Sequence, residues 1–477
     1  MCGATAERPP HHIPVVLEAI ELHDYRNPAP VRSPEALLLR EADFLDFLGA
    51  IGIAREFARG PRELRPCYER ALSRKEGILG KTPWRKPHGL MEGHMIPDPH
   101  LQYLTPEEFA ILPWGNTPGE PAVLADIKRC GFNLAGFVRP GDLDAVREAG
   151  LKAIVADESI HVTDAAAGLD KAEIARRVQA LVAQVKGHPA LFGYYLRDEP
   201  GAGIYPGLRR WSRALRAADL AAQPYINLFP NYATREQLGV ETYEKYVEAF
   251  LRTVEPPFLS YDHYALMEGG KLREGYFQNL EIIRAAALRQ GIPFWNIVLA
   301  NAHFSHTEPT SAGLRFQVYT TLAYGGRGIS YFTYFTPDRG NYRLAPIDQF
   351  GEKTPTWAML RQVNLQINSL GPTYVRLSSA NVFHHPDIPP GCSGVGSSRF
   401  LDEVSGGSFV VGEFAGPDDR PHVMVVNKDL LCSTSFVVRF KEAGKVLRTS
   451  PYSGAAHPEG DEDHWLAPGQ GVLLSLA

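Results

Sequence analysis

The sequence predicts an α/β chain, a (β/α)₈ TIM barrel followed by a C-terminal antiparallel β-sandwich, and three observations predict it. Between residues 109 and 335 short apolar runs recur eight times, each separated from the next by a longer stretch, several of them amphipathic. Crossovers of that length exclude hairpins, so successive strands must pair in parallel, and eight such units in about 260 residues match the size of a barrel. Towards the C-terminus the period changes again, to alternating or continuous apolar runs between Gly, Pro and Asp turns.

The expected domains are residues 1–100, an extension that is partly helical or irregular; 101–375, the barrel; and 376–477, the sandwich. In the extension, Ser33 and Pro34 read as the cap and first position of a helix reaching Arg59. The eight strands are read at 109–116, 133–138, 152–157, 191–196, 224–229, 258–264, 293–301 and 328–335. Between them, Ile174, Val178, Leu181, Val182 and Val185 form one apolar helical stripe, as do Leu208, Trp211 and Leu215, and Leu314, Val318 and Leu322. Gly131, Gly150, Pro189, Gly291 and the pair Gly325 and Gly326 stand just before strands, where a helix must end and the chain reverse. An open doubly wound sheet is the competing arrangement, but no G-x-G-x-x-G follows the first strand. The eighth helix is read over 354–370, with Pro355 in its first turn. From about Ala380 the segments SFVVGEF, HVMVVNKD, STSFVVRF and GVLLSL read as sandwich strands, expected to buttress the barrel.

Composition narrows the partners. With 44% hydrophobic and 22% charged residues the chain can bury a large core, and a net charge of -5 without a long basic run argues against nucleic acid. No run of about 18 apolar residues suggests a membrane span. The first residues lack a basic segment followed by an apolar stretch, which predicts a cytoplasmic protein as the sequence stands, and a periplasmic or secreted one if the start is misassigned. The five cysteines are scattered without C-x-x-C spacing, so neither a disulfide framework nor a zinc site follows. His161, His263 and His303 fall at strand ends but lack the H-E-x-x-H spacing, so no metal and no cofactor is expected.

In such a barrel the loops after the strands form the active face, so ionisable residues at strand ends are the candidates. Strand three ends in Asp157 and Glu158, strand four in Arg197, Asp198 and Glu199, and strand six in Asp262, His263 and Tyr264. Two carboxylates facing each other across a sugar are what glycosidic cleavage needs: one protonates the leaving oxygen, the other attacks the anomeric carbon or activates water. Glu199 fits the first role, with Arg197 and Asp198 to tune its proton affinity and Pro200 to restrict its backbone. The competing reading has Asp198 and Glu199 only capping the next helix or pairing with Arg197.

The strand ending Asp198-Glu199-Pro200 resembles the acid/base strand of the large clan of retaining glycoside hydrolases that includes the family 42 β-galactosidases. Residues 314–337, LRFQVYTTLAYGGRGISYFTYFTP, are similar to the helix and eighth strand of that family. The resemblance covers about 109–372 and implies that Glu199 is the acid/base. Asp198 stands where the clan usually has an Asn that bonds the sugar 2-hydroxyl, and Tyr264 matches a tyrosine near the nucleophile. The clan's nucleophile, a Glu ending strand seven, is replaced here by the run Val298, Leu299, Ala300, Asn301. Asp262 is therefore the favoured second carboxylate, with Glu158 and Glu308 as alternatives and a helix-start role competing for Glu308.

Trp114, Asn116, Arg139, Asn227, Asn231, Tyr232, Asn301, His303 and Tyr334 at the other strand ends would complete a sugar site, since sugars present apolar ring faces bordered by hydroxyls. For Trp295 and Tyr331, early in their strands, a core position is expected. The sequence thus points to a glycosidase with a carbohydrate substrate, or alternatively to a non-catalytic carbohydrate-binding barrel that lost its strand-seven nucleophile. A metal-assisted hydrolase is a third, weaker reading. Sugar, linkage, anomeric outcome and oligomeric state stay open at this level.

Overall fold

The computed structural model describes residues 108–221, 223–460 and 464–477, which belong to one compact unit, Pro97–Ala477. The helix expected over Ser33 to Arg59 lies outside the described residues.

A strand forms in each of the eight apolar runs: β1 (Ala110–Pro113), β2 (Leu134–Val138), β3 (Lys152–Val155), β4 (Leu191–Asp198), β5 (Gln223–Asn227), β6 (Leu259–Asp262), β7 (Phe294–Leu299) and β8 (Gly328–Phe332). All their pairings are parallel. They make two four-stranded sheets, ordered β1-β8-β7-β6 and β2-β3-β4-β5. Hydrogen bonds also join the sheets at both edges: parallel bridges link Asn116 to Phe137 and Leu228 to Tyr261, and Leu228 N donates to Ser260 O at 2.8 Å.

Helices fill the crossovers: α1 (Pro121–Arg129), α2 (Leu143–Glu148), α3 (Lys171–Val185), α4 (Tyr205–Ala218), α5 (Tyr243–Val254), α6 (Tyr276–Gln290), α7 (Ser311–Ala323) and α8 (Pro355–Tyr374). Their starts are written locally, as where the Asp170 side chain accepts from Glu173 N and so caps α3. The stop of α6 is Gly291, whose φ of 63° is the left-handed conformation that lets the last carbonyls be capped. Each apolar stripe read from the sequence is buried, including all five residues of α3.

Two apolar layers result. One lies between strands and helices. The other is a separate cluster of strand residues rich in rings, where Trp114, Phe137, Phe192, Tyr225, Phe258 and Trp295 pack together, Phe258 against Trp295 at 4.4 Å.

After α8 come β9 (Ser378–His385), β10 (Leu401–Ser405), β11 (Phe409–Ala415), β12 (Pro421–Asn427), β13 (Thr434–Phe440), β14 (Val446–Thr449), β15 (Ala456–Pro458), β16 (His464–Leu466) and β17 (Gly471–Leu476). They form a six-stranded antiparallel sheet, β9-β11-β12-β17-β14-β15, and a three-stranded one, β10-β13-β16. Alternation divides the six-stranded sheet between two cores. Phe409, Val411, Val423 and Val425 meet Leu401, Phe436 and Leu466 of the other sheet, whereas Val410, Phe414, Met424 and Val426 join the core between the parallel strands and their helices. Helix α7 is buried on every side because it lies between strand layer and sheet.

Candidate active site

The strands that carry the candidate acids meet through their register. In β4 a register shift between Tyr195 and Arg197 brings Asp198 opposite Asn227 of β5. Asp262 ends β6, the next strand across the Leu228 to Tyr261 bridge. Glu199 follows Asp198 with φ of 45°, a left-handed backbone that residues other than glycine seldom adopt. That conformation is pinned on both sides: Glu199 N donates to Asn227 O at 2.9 Å, and Tyr246 of α5 donates its hydroxyl proton to Pro200 O at 2.8 Å.

Three carboxyl groups converge there. Asn227 Nδ2 donates to Asp198 Oδ1 at 3.1 Å and to Asp262 Oδ1 at 3.0 Å, so its two protons are both committed. Ser260 Oγ donates to Asn227 Oδ1 at 2.9 Å, and the Tyr225 hydroxyl lies 2.9 Å from that Oγ. This chain fixes which way the amide points. The Glu199 and Asp262 carboxyls are near enough for each to act on the other's proton affinity.

Burial raises all three proton affinities, and repulsion adds to it at Glu199 and Asp262. Asp198 is pushed up to about 6, chiefly by desolvation and against the pull of Asn227 and Arg197. Glu199 rises to about 7 through desolvation and the charge of Asp198, and the bond from Asp262 pulls the other way. Asp262, only 4% exposed, lies well above the usual carboxylate range through desolvation and then the charges of Glu199 and Asp198.

Other candidates divide between this site and the frame around it. Tyr264 is half-buried beside the acids, whose charges act on its hydroxyl, and His303 stands over Tyr264 with ring centres 5.6 Å apart. Asn301 is buried, donating to Thr333 Oγ1 and holding His303 Nδ1 at 3.0 Å. Burial lowers His263 and His303 to about 4, so both are neutral. Tyr232 is 41% exposed, over His263 and under the Arg273 guanidinium.

Several residues expected to touch sugar are engaged elsewhere. Trp114 packs in the inner ring cluster, 4.8 Å from Phe137, because its strand position points inward. Tyr334 is 1% exposed, accepting from Trp357 Nε1 and packed on Phe132. Arg197 turns away from Glu199 to bind Val162 O and Asp164. Asn231 ties its loop to α6 through Gly275 O and Asn279. Glu308 is an exposed partner of Arg343 at 3.0 Å, and the cap of α7 is Thr310, whose side chain accepts from Gly313 N. Trp295 and Tyr331 are buried as expected.

Asn116, Arg139 and Glu158 line a cavity of about 690 Å³ over the ends of β1 to β4, together with Asp157, His161 and Tyr195. Neither Glu199 nor Asp262 lines it. Tyr195 connects the two regions, since its hydroxyl feels the charges of Asp198 and Glu199 while its ring stacks between Phe137 at 4.4 Å and His161 at 5.8 Å. Tyr195, Tyr225, Tyr246 and Ser260 were not singled out from the sequence as site residues; hydroxyls inside apolar runs read there as ordinary strand and helix positions. Among the described residues no group of three or more His, Cys, Asp or Glu side chains could hold a metal ion, and no helix is long and apolar enough to cross a membrane.

No protein-family model matches the chain, and no curated protein sequence matches it. Solved structures do. A structure described as a glycoside hydrolase is 12% identical with a TM-score of 0.50, over 78% of this chain and 96% of its own. A β-galactosidase from Bacillus circulans sp. alkalophilus is 8% identical with a TM-score of 0.55, over 78% and 99%. A β-galactosidase from the psychrophilic Marinomonas ef1 is 10% identical with a TM-score of 0.44 over 57% of this chain, which spans 62% of its length. At these identities the likeness is one of architecture, and the parallel eight-stranded portion has the TIM-barrel type of fold.

Proposed function

We propose that the eight strands close into a (β/α)₈ barrel, residues 101–375, backed by a β-sandwich, residues 376–477, and that the protein is a glycoside hydrolase of the clan to which family 42 belongs. Glu199 acts as the general acid/base and Asp262 as nucleophile or base. The observation that carries this reading is the convergence of these two carboxyls from the ends of β4 and β6 on either side of Asn227 of β5, whose side chain bonds Asp262 and whose carbonyl accepts from Glu199 N, with each acid acting on the other's proton affinity. The structural neighbours described as glycoside hydrolase and β-galactosidase favour the same chemistry.

The raised proton affinities suit the reaction: a proton held by Glu199 protonates the leaving oxygen, and a carboxylate at Asp262 attacks the anomeric carbon or activates a water. Retaining pairs stand about 5 Å apart and inverting pairs about 6.5–9.5 Å, so the separation of Glu199 and Asp262 with a sugar bound decides the anomeric outcome. Asp198 would accept from a sugar hydroxyl, and Tyr264 would steady Asp262. Asn116, Arg139, Glu158 and His161 would supply polar contacts in the adjoining cavity.

The experiment compares wild type and Glu199→Gln on a panel of aryl glycosides and oligosaccharides. Loss of the proton donor should depress kcat about 10²–10⁴-fold on poor leaving groups and far less on activated ones. Full activity of the variant on every substrate cleaved by the wild type would remove Glu199 from the role. The second reading, a carbohydrate-binding barrel without turnover, is favoured by the Leu299-Ala300-Asn301 end of strand seven, which offers no acid. Turnover of any glycoside excludes it; saccharide binding without turnover, unaffected by Asp262→Asn, supports it.

A further inference from the structure

The loops that follow β6, β7 and β8 are knitted into one wall. Met267 bridges to His306 and Ala302 to Arg343, the latter with two backbone hydrogen bonds of 2.9 Å. Arg343 then pairs with Glu268 and with Glu308, so charges from all three loops meet on it. On this wall the Phe304 side chain is 68% exposed, on a backbone with φ of 48°. Both features are unfavourable on their own, the ring through lost burial and the backbone through crowding of its Cβ. The loop nevertheless fixes them, because Phe304 N donates to Asn341 Oδ1 at 2.7 Å and Asn341 Nδ2 returns a bond to Phe304 O at 3.0 Å.

A strained and exposed group that its surroundings over-determine points to function. The ring continues a line of aromatic contacts leading from the acids: Tyr264 to His303 at 5.6 Å, His303 to Phe304 at 5.1 Å, and His303 stacked on Tyr342 at 4.8 Å. A ring on a wall that also carries the charged groups Glu268, Glu308 and Arg343 is not the broad apolar patch that a protein partner covers. It matches the apolar face of one sugar ring, with charged groups around it for the hydroxyls.

We propose that Phe304 is a stacking platform for a second sugar ring, so that the chain binds an oligosaccharide rather than a lone glycosyl unit. This rests on the carbohydrate reading of the carboxylate site and adds to it a subsite on the opposite side from the β1 to β4 cavity.

The test titrates cello-, xylo-, galacto-, laminari- and mannopentaose, and their monosaccharides, into the full chain by calorimetry. Glu199→Gln serves as a non-hydrolysing parent, compared with the same chain carrying Phe304→Ala or Phe304→Trp. Phe304→Ala should bind the preferred pentaose about tenfold more weakly, with monosaccharide binding unchanged, and Phe304→Trp should bind it as the parent does. Equal pentaose affinity in parent and Phe304→Ala overturns the platform and leaves the carboxylate site standing. Equal losses for pentaose and monosaccharide also overturn it, since the ring then supports the site as a whole. If neither the parent nor the wild-type chain binds any of these saccharides, the carbohydrate reading itself falls.

Discussion

Asn227 Nδ2 lies 3.0 Å from Oδ1 of Asp262, and because an amide nitrogen only donates, the buried Asp262 keeps an accepting oxygen turned towards strand five. The second proton of the same nitrogen goes to Asp198, so one side chain holds two acids in register. Asn227→Ala should therefore lower stability by about 1–3 kcal/mol in urea unfolding, the range for stranding buried acceptors. Asn227→Asp should cost more at pH 8 than at pH 5, because it adds a charge to a cluster already short of protons. An Asn227→Ala protein as stable as wild type would mean that the acids do not depend on this amide.

The cluster makes stability fall with rising pH. Asp198 and Glu199 are raised to about 6 and about 7 in the folded chain, so the folded state binds more protons than the unfolded one, whose carboxyls titrate near 4. Stability from these groups is complete below about pH 4 and is lost as pH climbs through the folded values. His263 and His303, both lowered to about 4, oppose this on the acid side. They cancel when wild type is compared with Glu199→Gln. The variant's melting temperature, relative to wild type, should be higher at pH 8 than at pH 5, and a difference independent of pH would contradict the raised affinities.

The left-handed backbone at Glu199 gives a prediction separate from its charge. Glu199→Ala and Glu199→Gly both delete the carboxyl and relieve the same repulsion, but only glycine accepts a φ of 45° without strain. The glycine variant should be the more stable by about 1 kcal/mol in urea unfolding. Were alanine the better of the two, Glu199 would not be held left-handed by Asn227 O and Tyr246.

Strands, helices and the change to antiparallel sheets were legible because they depend on period and punctuation, which neighbouring residues write locally. Glu199 and Asp262 could be picked out because acids interrupt apolar runs at strand ends. What the period cannot convey is the phase of a strand within its sheet. The register shift at Tyr195 carries the end of β4 to Asn227, and Trp114 and Tyr334 look like open strand ends until the packing places them inside. Tyr246 and Ser260 were invisible for another reason: their roles arise from partners 46 and 33 residues away.

The C-terminal sheets give the last prediction, through one glycine. A Cβ on Gly412 of β11 would meet the carbonyl of Ala323, at the end of α7, with no flexible side chain between to yield. Helix α7 in turn carries Gln317, whose side chain accepts from Leu299 N at 3.0 Å and donates to Leu299 O at 3.1 Å, bracing the end of β7. The sheet thus presses on a helix that positions the strand before His303. Gly412→Ala should lower stability by about 1–3 kcal/mol, the usual effect of overpacking. Gly396→Ala, where a Cβ would meet open space, should stay within about 0.5 kcal/mol of wild type. If the two variants unfold at the same urea concentration, the sheet does not bear on the helix and the buttress role fails.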